Sequence, residues 1–204
     1  LLATCLLTDG SIYSKQNRIE YASKDITLKE IVSYFFNNQS RYPYTIFKDE
    51  DSIFRIRLTD KELVSGLYKL SPSFKKSPAR NQTRESYLRE IQPSIEFLKE
   101  YSEETIRECI RLAFSTDGSI INCGNLMLSC SNPELCEEWR KILDKSGIKV
   151  GIWRNVTTWS GFAGVGTASI AQITNFEKIG GFVPNVKVSL KSKHFVGWEK
   201  NKVL

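Results

Sequence analysis

The run Thr8-Asp9-Gly10-Ser11-Ile12 returns letter for letter as Thr116-Asp117-Gly118-Ser119-Ile120 in the second half of a 204-residue chain. A repeat of this kind constrains the fold more than any local propensity, because each copy marks one structural unit used twice. An apolar stretch precedes each copy, Leu2 to Leu7 in one and Ile110 to Ser115 in the other. Before the second, Ser102-Glu103-Glu104-Thr105 supplies an N-cap and an acidic first turn, so the pattern predicts a helix from about 103 to 116. Gly10 and Gly118 then suit the left-handed position just past a helix end.

The residues after each copy also match in kind. After the first copy the sequence reads as a hairpin ending in a strand from Arg18 to Lys24 and a helix from about Thr27 to Asn37. After the second come a turn at Cys123-Gly124-Asn125, a strand from Leu126 to Ser131, and a helix from Pro133 to Lys145 that Gly147 stops. A second hairpin is expected from Tyr42 to Lys48 and Ile53 to Thr59. Its counterpart is expected from Lys149 to Asn155 and Thr167 to Ile173, across a loop rich in Trp, Ser and Gly. Residues 71–94, rich in Ser, Pro, Lys and Arg, form the connection, which divides the chain into halves at 1–85 and 86–204. Each half alternates helices with hairpins, an α+β unit in two unequal copies.

The charge balance narrows the partner. With 29 Lys and Arg against 23 Asp and Glu the net charge is +6, which favours a polyanion and nucleic acid first. No apolar run reaches the length of a membrane span, and no signal peptide is visible. The chain opens at Leu1 inside a helical pattern, as a trimmed start would. Cys5, Cys109, Cys123, Cys130 and Cys136 are odd in number and form no CxxC pair, and His194 is the single histidine, which argues against a His/Cys zinc site. Free thiols in a reducing compartment are expected, with one structural disulfide as the alternative; the location is intracellular, either prokaryotic cytoplasm or an organelle.

In Phe54-Arg55-Ile56-Arg57-Leu58 the apolar residues face one side and the arginines the other; Arg18 and Lys24 share one side of the preceding strand. A sheet with one apolar and one basic, hydrogen-bonding face fits a DNA major groove. A single such strand would be an ordinary solvated surface; the repetition of the unit across both halves shifts the expectation toward the groove.

The repeated aspartates carry the chemistry. The last carbonyls of a helix have no intrahelical partner and hold the negative end of its dipole, so a carboxylate there calls for a cation. If the two helices pack about a pseudo-twofold axis, Asp9 and Asp117 meet, and with the carbonyls of Thr8 and Thr116 they form a hard-oxygen site suited to Mg²⁺. A lone Asp-Gly is ordinarily a turn, but matched contexts around both copies make that explanation insufficient.

Leu2 to Gly10 and Ile110 to Gly118 resemble two LAGLIDADG motifs, in the arrangement of the single-chain, two-motif homing endonucleases encoded in introns, including those of archaeal ribosomal RNA genes. The third motif position, usually glycine, is Thr4 and Leu112, and the sixth, commonly acidic, is Leu7 and Ser115. The resemblance implies an αββαββα unit used twice, a saddle of two antiparallel sheets astride DNA, and motif helices packed at the centre. It implies a monomer cutting both strands of a long asymmetric duplex, with Mg²⁺ at Asp9 and Asp117 and Ca²⁺ or Mn²⁺ able to substitute in binding. A polar pair at the end of the first hairpin is Ser23-Lys24 in one half, making Lys24 a catalytic candidate, and Ser131-Asn132 in the other. A basic residue after the second hairpin is expected near each phosphate: Lys75 or Lys76 in the first half and Lys187 in the second. Arg18, Arg55, Arg57, Arg154 and Gln172 are candidates for contact with DNA. The alternatives are an intron maturase, with intron RNA as partner, and a non-catalytic DNA-binding regulator on the same scaffold.

Overall fold

The chain is described from a computed structural model covering residues 1–121, 125–188 and 197–204. Cys123, most of the turn expected around it, and His194 lie outside the described residues. The first half runs α1 (Leu2–Thr8), β1 (Gly10–Tyr13), β2 (Arg18–Ser23), α2 (Ile26–Gln39), β3 (Tyr44–Lys48), β4 (Phe54–Thr59) and α3 (Lys61–Leu70). A short α4 (Arg84–Leu88) lies in the connection. The order then repeats as α5 (Glu103–Asp117), β5 (Gly118–Ile121), β6 (Asn125–Ser129), α6 (Pro133–Lys145), β7 (Gly151–Arg154), β8 (Phe162–Thr167) and α7 (Ile170–Lys178). Two four-stranded antiparallel sheets result, in the orders β1-β2-β4-β3 and β5-β6-β8-β7. This is the duplicated α+β unit that the repeat predicts.

Side-chain caps start the helices where the sequence places Asp, Ser and Asn. Asp25 accepts the Thr27 and Leu28 amides of α2, Asp60 that of Leu63 in α3, Ser102 that of Thr105 in α5, and Asn132 that of Leu135 in α6. The motif helices α1 and α5 pack against each other, and every residue of α1 from Leu2 to Thr8 is buried. Cys5, Leu6, Cys109, Ile110 and Ala113 have no more than traces of exposed surface, so the chain is held from the centre. α2 covers β2 and β4, and α6 covers β7 and β8, leaving the opposite face of each sheet turned outward. Among the described residues no helix is long and apolar enough to cross a membrane.

The connection is tied down rather than loose. Tyr87 is fully buried, donates from its hydroxyl to the Lys75 carbonyl (2.6 Å) and accepts from Asn132 Nδ2 (3.0 Å). Cys5, Cys109, Cys130 and Cys136 are free thiols.

Two local expectations are corrected. Gly118 has φ −87° and ψ 152°, and Gly10 opens β1; neither is left-handed. Glycine is needed for close approach instead: a Cβ at Gly10 would lie 2.6 Å from Leu6 Cα, and one at Gly118 2.3 Å from the Phe114 carbonyl oxygen. The last strand is Phe162–Thr167 rather than Thr167 to Ile173, and Ile170–Lys178 is helix. Glycines that read as loop are here required by β6, because a Cβ at Gly164 (φ +151°) would lie 2.0 Å from the Leu128 carbonyl oxygen, and one at Gly166 2.5 Å from that of Leu126.

Gly164→Ala is therefore expected to destabilise the fold by about 3 kcal/mol and to lower Tm by roughly 6–12 °C. Gly151→Ala, where nothing lies within 4 Å of the added carbon, should leave Tm unchanged. Thermal unfolding tracked by circular dichroism reads both.

Candidate metal centre

α1 and α5 end side by side, and the end of each delivers one aspartate. Asp9 succeeds α1 as its C-cap, its N–H bonded to the Cys5 carbonyl (3.0 Å), and Asp117 is the last residue of α5. Both are half-buried, and their carboxyl groups hydrogen-bond to each other. Burial first, and the Asp9 charge second, hold the Asp117 carboxyl well above the usual carboxylate range; Lys76 opposes that shift. The side chains of Thr8 and Thr116 turn back into their own helices, Thr8 Oγ1 onto the Thr4 and Cys5 carbonyls and Thr116 Oγ1 onto those of Leu112 and Ala113.

Two lysines complete the centre in matching positions. Lys76 Nζ donates to the carbonyls of Leu6 (3.3 Å), Thr8 and Gly10 (3.1 Å). Lys200 Nζ donates to those of Phe114 (3.3 Å), Ser115 (2.8 Å) and Gly118 (2.6 Å). Leu6 and Gly10 are the repeat partners of Phe114 and Gly118, so one ammonium caps the negative end of each motif helix. Burial lowers the pKa of both lysines, that of Lys200 to about 8, while the two aspartates pull in the opposite direction. Tyr21, buried in β2, holds its hydroxyl in the field of Asp9 and Asp117; burial keeps that hydroxyl protonated.

The other residues singled out from sequence are scattered around this centre. Lys24 is exposed just past β2. Strand register makes Asp25, the cap of α2, the counterpart of Asn132, the cap of α6, so Lys24 corresponds to Ser131 and not to Asn132. Asn132 is 1% exposed and holds Tyr87 and Gln92, a structural position. Lys75 pairs with Glu90 (2.8 Å) and Gln82 (2.6 Å), away from the helix ends that Lys76 reaches. Lys187 is exposed and gives its backbone N–H to Asp25 (2.9 Å), while Lys200 takes the position matching Lys76. Gln172 lies in α7 and accepts the Lys149 amide (2.6 Å), and Arg154 covers the Phe162 ring at 4.6 Å. Arg18, Arg55 and Arg57 share one sheet face, around Glu20. Lys200 was invisible to motif reading: it belongs to no repeat, and only the return of residues 197–204 to the end of α5 brings it in.

A divalent cation fits the carboxylate pair. Two half-buried carboxyl groups contesting a proton form the arrangement that a hard dication relieves. The Thr8 carbonyl fits less well, since Lys76 already occupies it. Among the described residues no group of three or more His, Cys, Asp or Glu gathers as a metal site, at this centre or elsewhere.

A duplicated α+β unit, two four-stranded sheets, and motif helices packed so that their aspartates meet together define the LAGLIDADG fold. No protein-family model matches the chain, and no curated protein matches it by sequence. Solved structures do match. Mesophilic variants of the homing endonuclease I-DmoI superpose with a TM-score of 0.60 at 14% identity, over 87% of this chain and 92% of that one. The homing endonuclease I-WcaI, bound to its DNA recognition sequence, gives 0.60 at 14% identity, over 91% and 81%. Full-length WhiA from Thermatoga maritima gives 0.60 at 15% identity, over 91% of this chain but 55% of that one. At these identities the likeness shows a shared fold, and the chain has the LAGLIDADG fold.

Proposed function

We propose that the chain is a divalent-metal-dependent endonuclease that cuts double-stranded DNA at a long, asymmetric site, as homing endonucleases do. The observation that carries this reading is the meeting of Asp9 and Asp117 at adjoining helix ends, each end flanked by a lysine, Lys76 half-buried and Lys200 buried. Asp9 and Asp117 would hold Mg²⁺, which supplies Lewis-acid polarisation of a phosphoryl oxygen and a more acidic water when bound. Lys76 and Lys200 keep positive charge beside the carboxylates, where a scissile phosphate would develop negative charge. Lys24, exposed at the strand end, is available to a phosphate on one side alone, since Ser131 stands at its counterpart. The net charge of +6 provides the long-range attraction to the duplex.

The test is incubation of the full chain with a pool of duplexes carrying a randomised core, in Mg²⁺ and separately in Ca²⁺. Double-strand breaks at a common sequence in Mg²⁺, with retention of the same sequence in Ca²⁺, are the expected result. A second reading, a DNA-binding module that does not cut, draws on the two lysines, whose positive charge stands near the carboxylates without a metal. Specific retention with no cleavage in either ion would favour it, and failure to retain any duplex would overturn both readings. A maturase role would show as intron splicing that depends on the protein.

A further inference from the structure

Register makes the two sheets comparable position by position. Gly10 pairs with Tyr21 as Gly118 pairs with Leu128, and Ile56 and Val165 then occupy the same place on the third strand. On the face turned away from the helices, Glu20 corresponds to Met127, Arg57 to Gly166, Arg55 to Gly164 and Phe47 to Trp153. One half thus presents a network of charges where the other presents a thioether, an indole and bare backbone.

The network in the first sheet is ordered. Glu20 is 8% exposed and accepts from Arg55 Nη1 (3.2 Å), Arg57 Nε (3.2 Å) and Arg57 Nη2 (3.0 Å). Arg55 Nε also donates to Asp49 (3.0 Å), and Arg57 lies over the Phe47 ring at 5.0 Å. These bonds take Nε and Nη1 of Arg55 and Nε and Nη2 of Arg57; among the described residues no hydrogen bond takes Arg55 Nη2 or Arg57 Nη1, and the side chains are about a third exposed (35% and 39%). A carboxylate on a surface meant for a polyanion opposes binding, so its presence needs a compensating role, and holding two forks in one orientation supplies one. In the second sheet no such fork can be added at two of the corresponding positions, because any side chain at Gly164 or Gly166 would collide with the backbone of β6. The charged residue of β7 and β8, Arg154, sits beyond the bulge against Phe162.

Resting on the reading of the chain as a DNA-binding endonuclease, we propose that its two sheets read the two halves of the duplex by different chemistry. The first sheet reads guanine edges through Arg55 and Arg57, with Glu20 as the residue that positions them. The second reads thymine methyl groups and groove shape through Trp153, Met127 and backbone. Arginine forks match the two acceptors of guanine in the major groove, whereas an apolar surface can distinguish only the methyl group and the deformability of the step.

The experiment is selection of retained sequences from the randomised duplex pool in Ca²⁺, repeated with Arg55→Ala, Arg57→Ala, Glu20→Gln and Trp153→Ala. The parent should retain sequences with fixed guanines in one half and weak A/T preferences in the other. Each arginine variant should lose discrimination at one guanine by about tenfold to a hundredfold and show a shallower salt dependence. Glu20→Gln should bind duplex of any sequence at least as tightly while discriminating less at both guanines, a split that general damage to the sheet would not produce. Trp153→Ala should weaken preference in the other half with the salt dependence unchanged. Retained duplexes whose halves are equally informative, or guanines that stay fixed in both arginine variants, overturn this inference alone. A chain that retains no duplex overturns the endonuclease reading together with it.

Discussion

Asp117→Asn is expected to abolish cleavage and, in the absence of metal, to raise the melting temperature. The two effects share one cause. The carboxyl sits half-buried against Asp9 and is held above the usual carboxylate range by burial and by the neighbouring charge, so ionising it in the folded state costs free energy that the unfolded chain does not incur. An amide removes that cost, and with it a ligand that a hard cation needs. Cleavage should fall by on the order of 10³-fold or more, the rate equivalent of the several kcal/mol a metal contributes to a transition state. Tm without metal should rise by a few degrees. Because the folded state retains a proton that the unfolded chain has released, this stabilisation is complete below the ordinary carboxylate range and is lost as pH rises through the raised value. Metal-free parent protein should therefore lose stability along that limb, Asp117→Asn should lose less, and added Mg²⁺ should restore the parent alone. Melting curves at several pH values, with and without Mg²⁺, alongside single-turnover cleavage, measure all of this. An Asp117→Asn protein that cuts like the parent would remove the metal assignment.

The second large effect concerns Lys200. Lys200 is 5% exposed, its ammonium satisfies three carbonyls at the end of α5, and its pKa is pushed down to about 8 by burial. If that charge assists cleavage, the rate should decline as pH rises through about 8, and Lys200→Arg, which stays charged, should lose that alkaline limb. Lys200→Met should cut about 10²- to 10³-fold more slowly. It should also be less stable by about 2 kcal/mol, because buried carbonyls lose their donor. Stability moves the other way with pH. A depressed lysine pKa means the unfolded chain binds the extra proton, so the contribution is complete above the ordinary lysine value of 10.5 and is lost as pH falls through about 8. Above pH 8 the contribution of Lys200 to parent stability thus grows while its rate falls. An alkaline limb that persists in Lys200→Arg would assign it to another group.

Much of this architecture was legible from local signals. The order of helices and hairpins came from start signals such as the Ser102 cap and Pro133 at a first helical turn, from alternation in Phe54 to Leu58, and from the repeat itself. Where reading failed, a contact distant in sequence had decided the outcome. The Gly-rich stretch 161–166 looked like loop because glycine weakens strands on average, yet β6 approaches so closely that nothing larger fits. The arginines of β4 read as free basic groups, since pairing with Glu20 requires β2 and β4 to be in register.

The same division holds at the centre. By itself the sequence determined that two like units exist, that each ends a helix in an aspartate, and that the chain carries excess positive charge, because repetition, capping and composition are properties of the chain. Only the tertiary structure decided which cations meet those aspartates. Lys76 stands 70 residues from one of its acceptors and Lys200 stands 86 from one of its own, and no periodicity spans such separations. Their placement results from the packing of α1 on α5, which turns two helix C-termini toward one point, where terminal carbonyls and paired carboxylates draw in the positive charge that the connecting segments deliver.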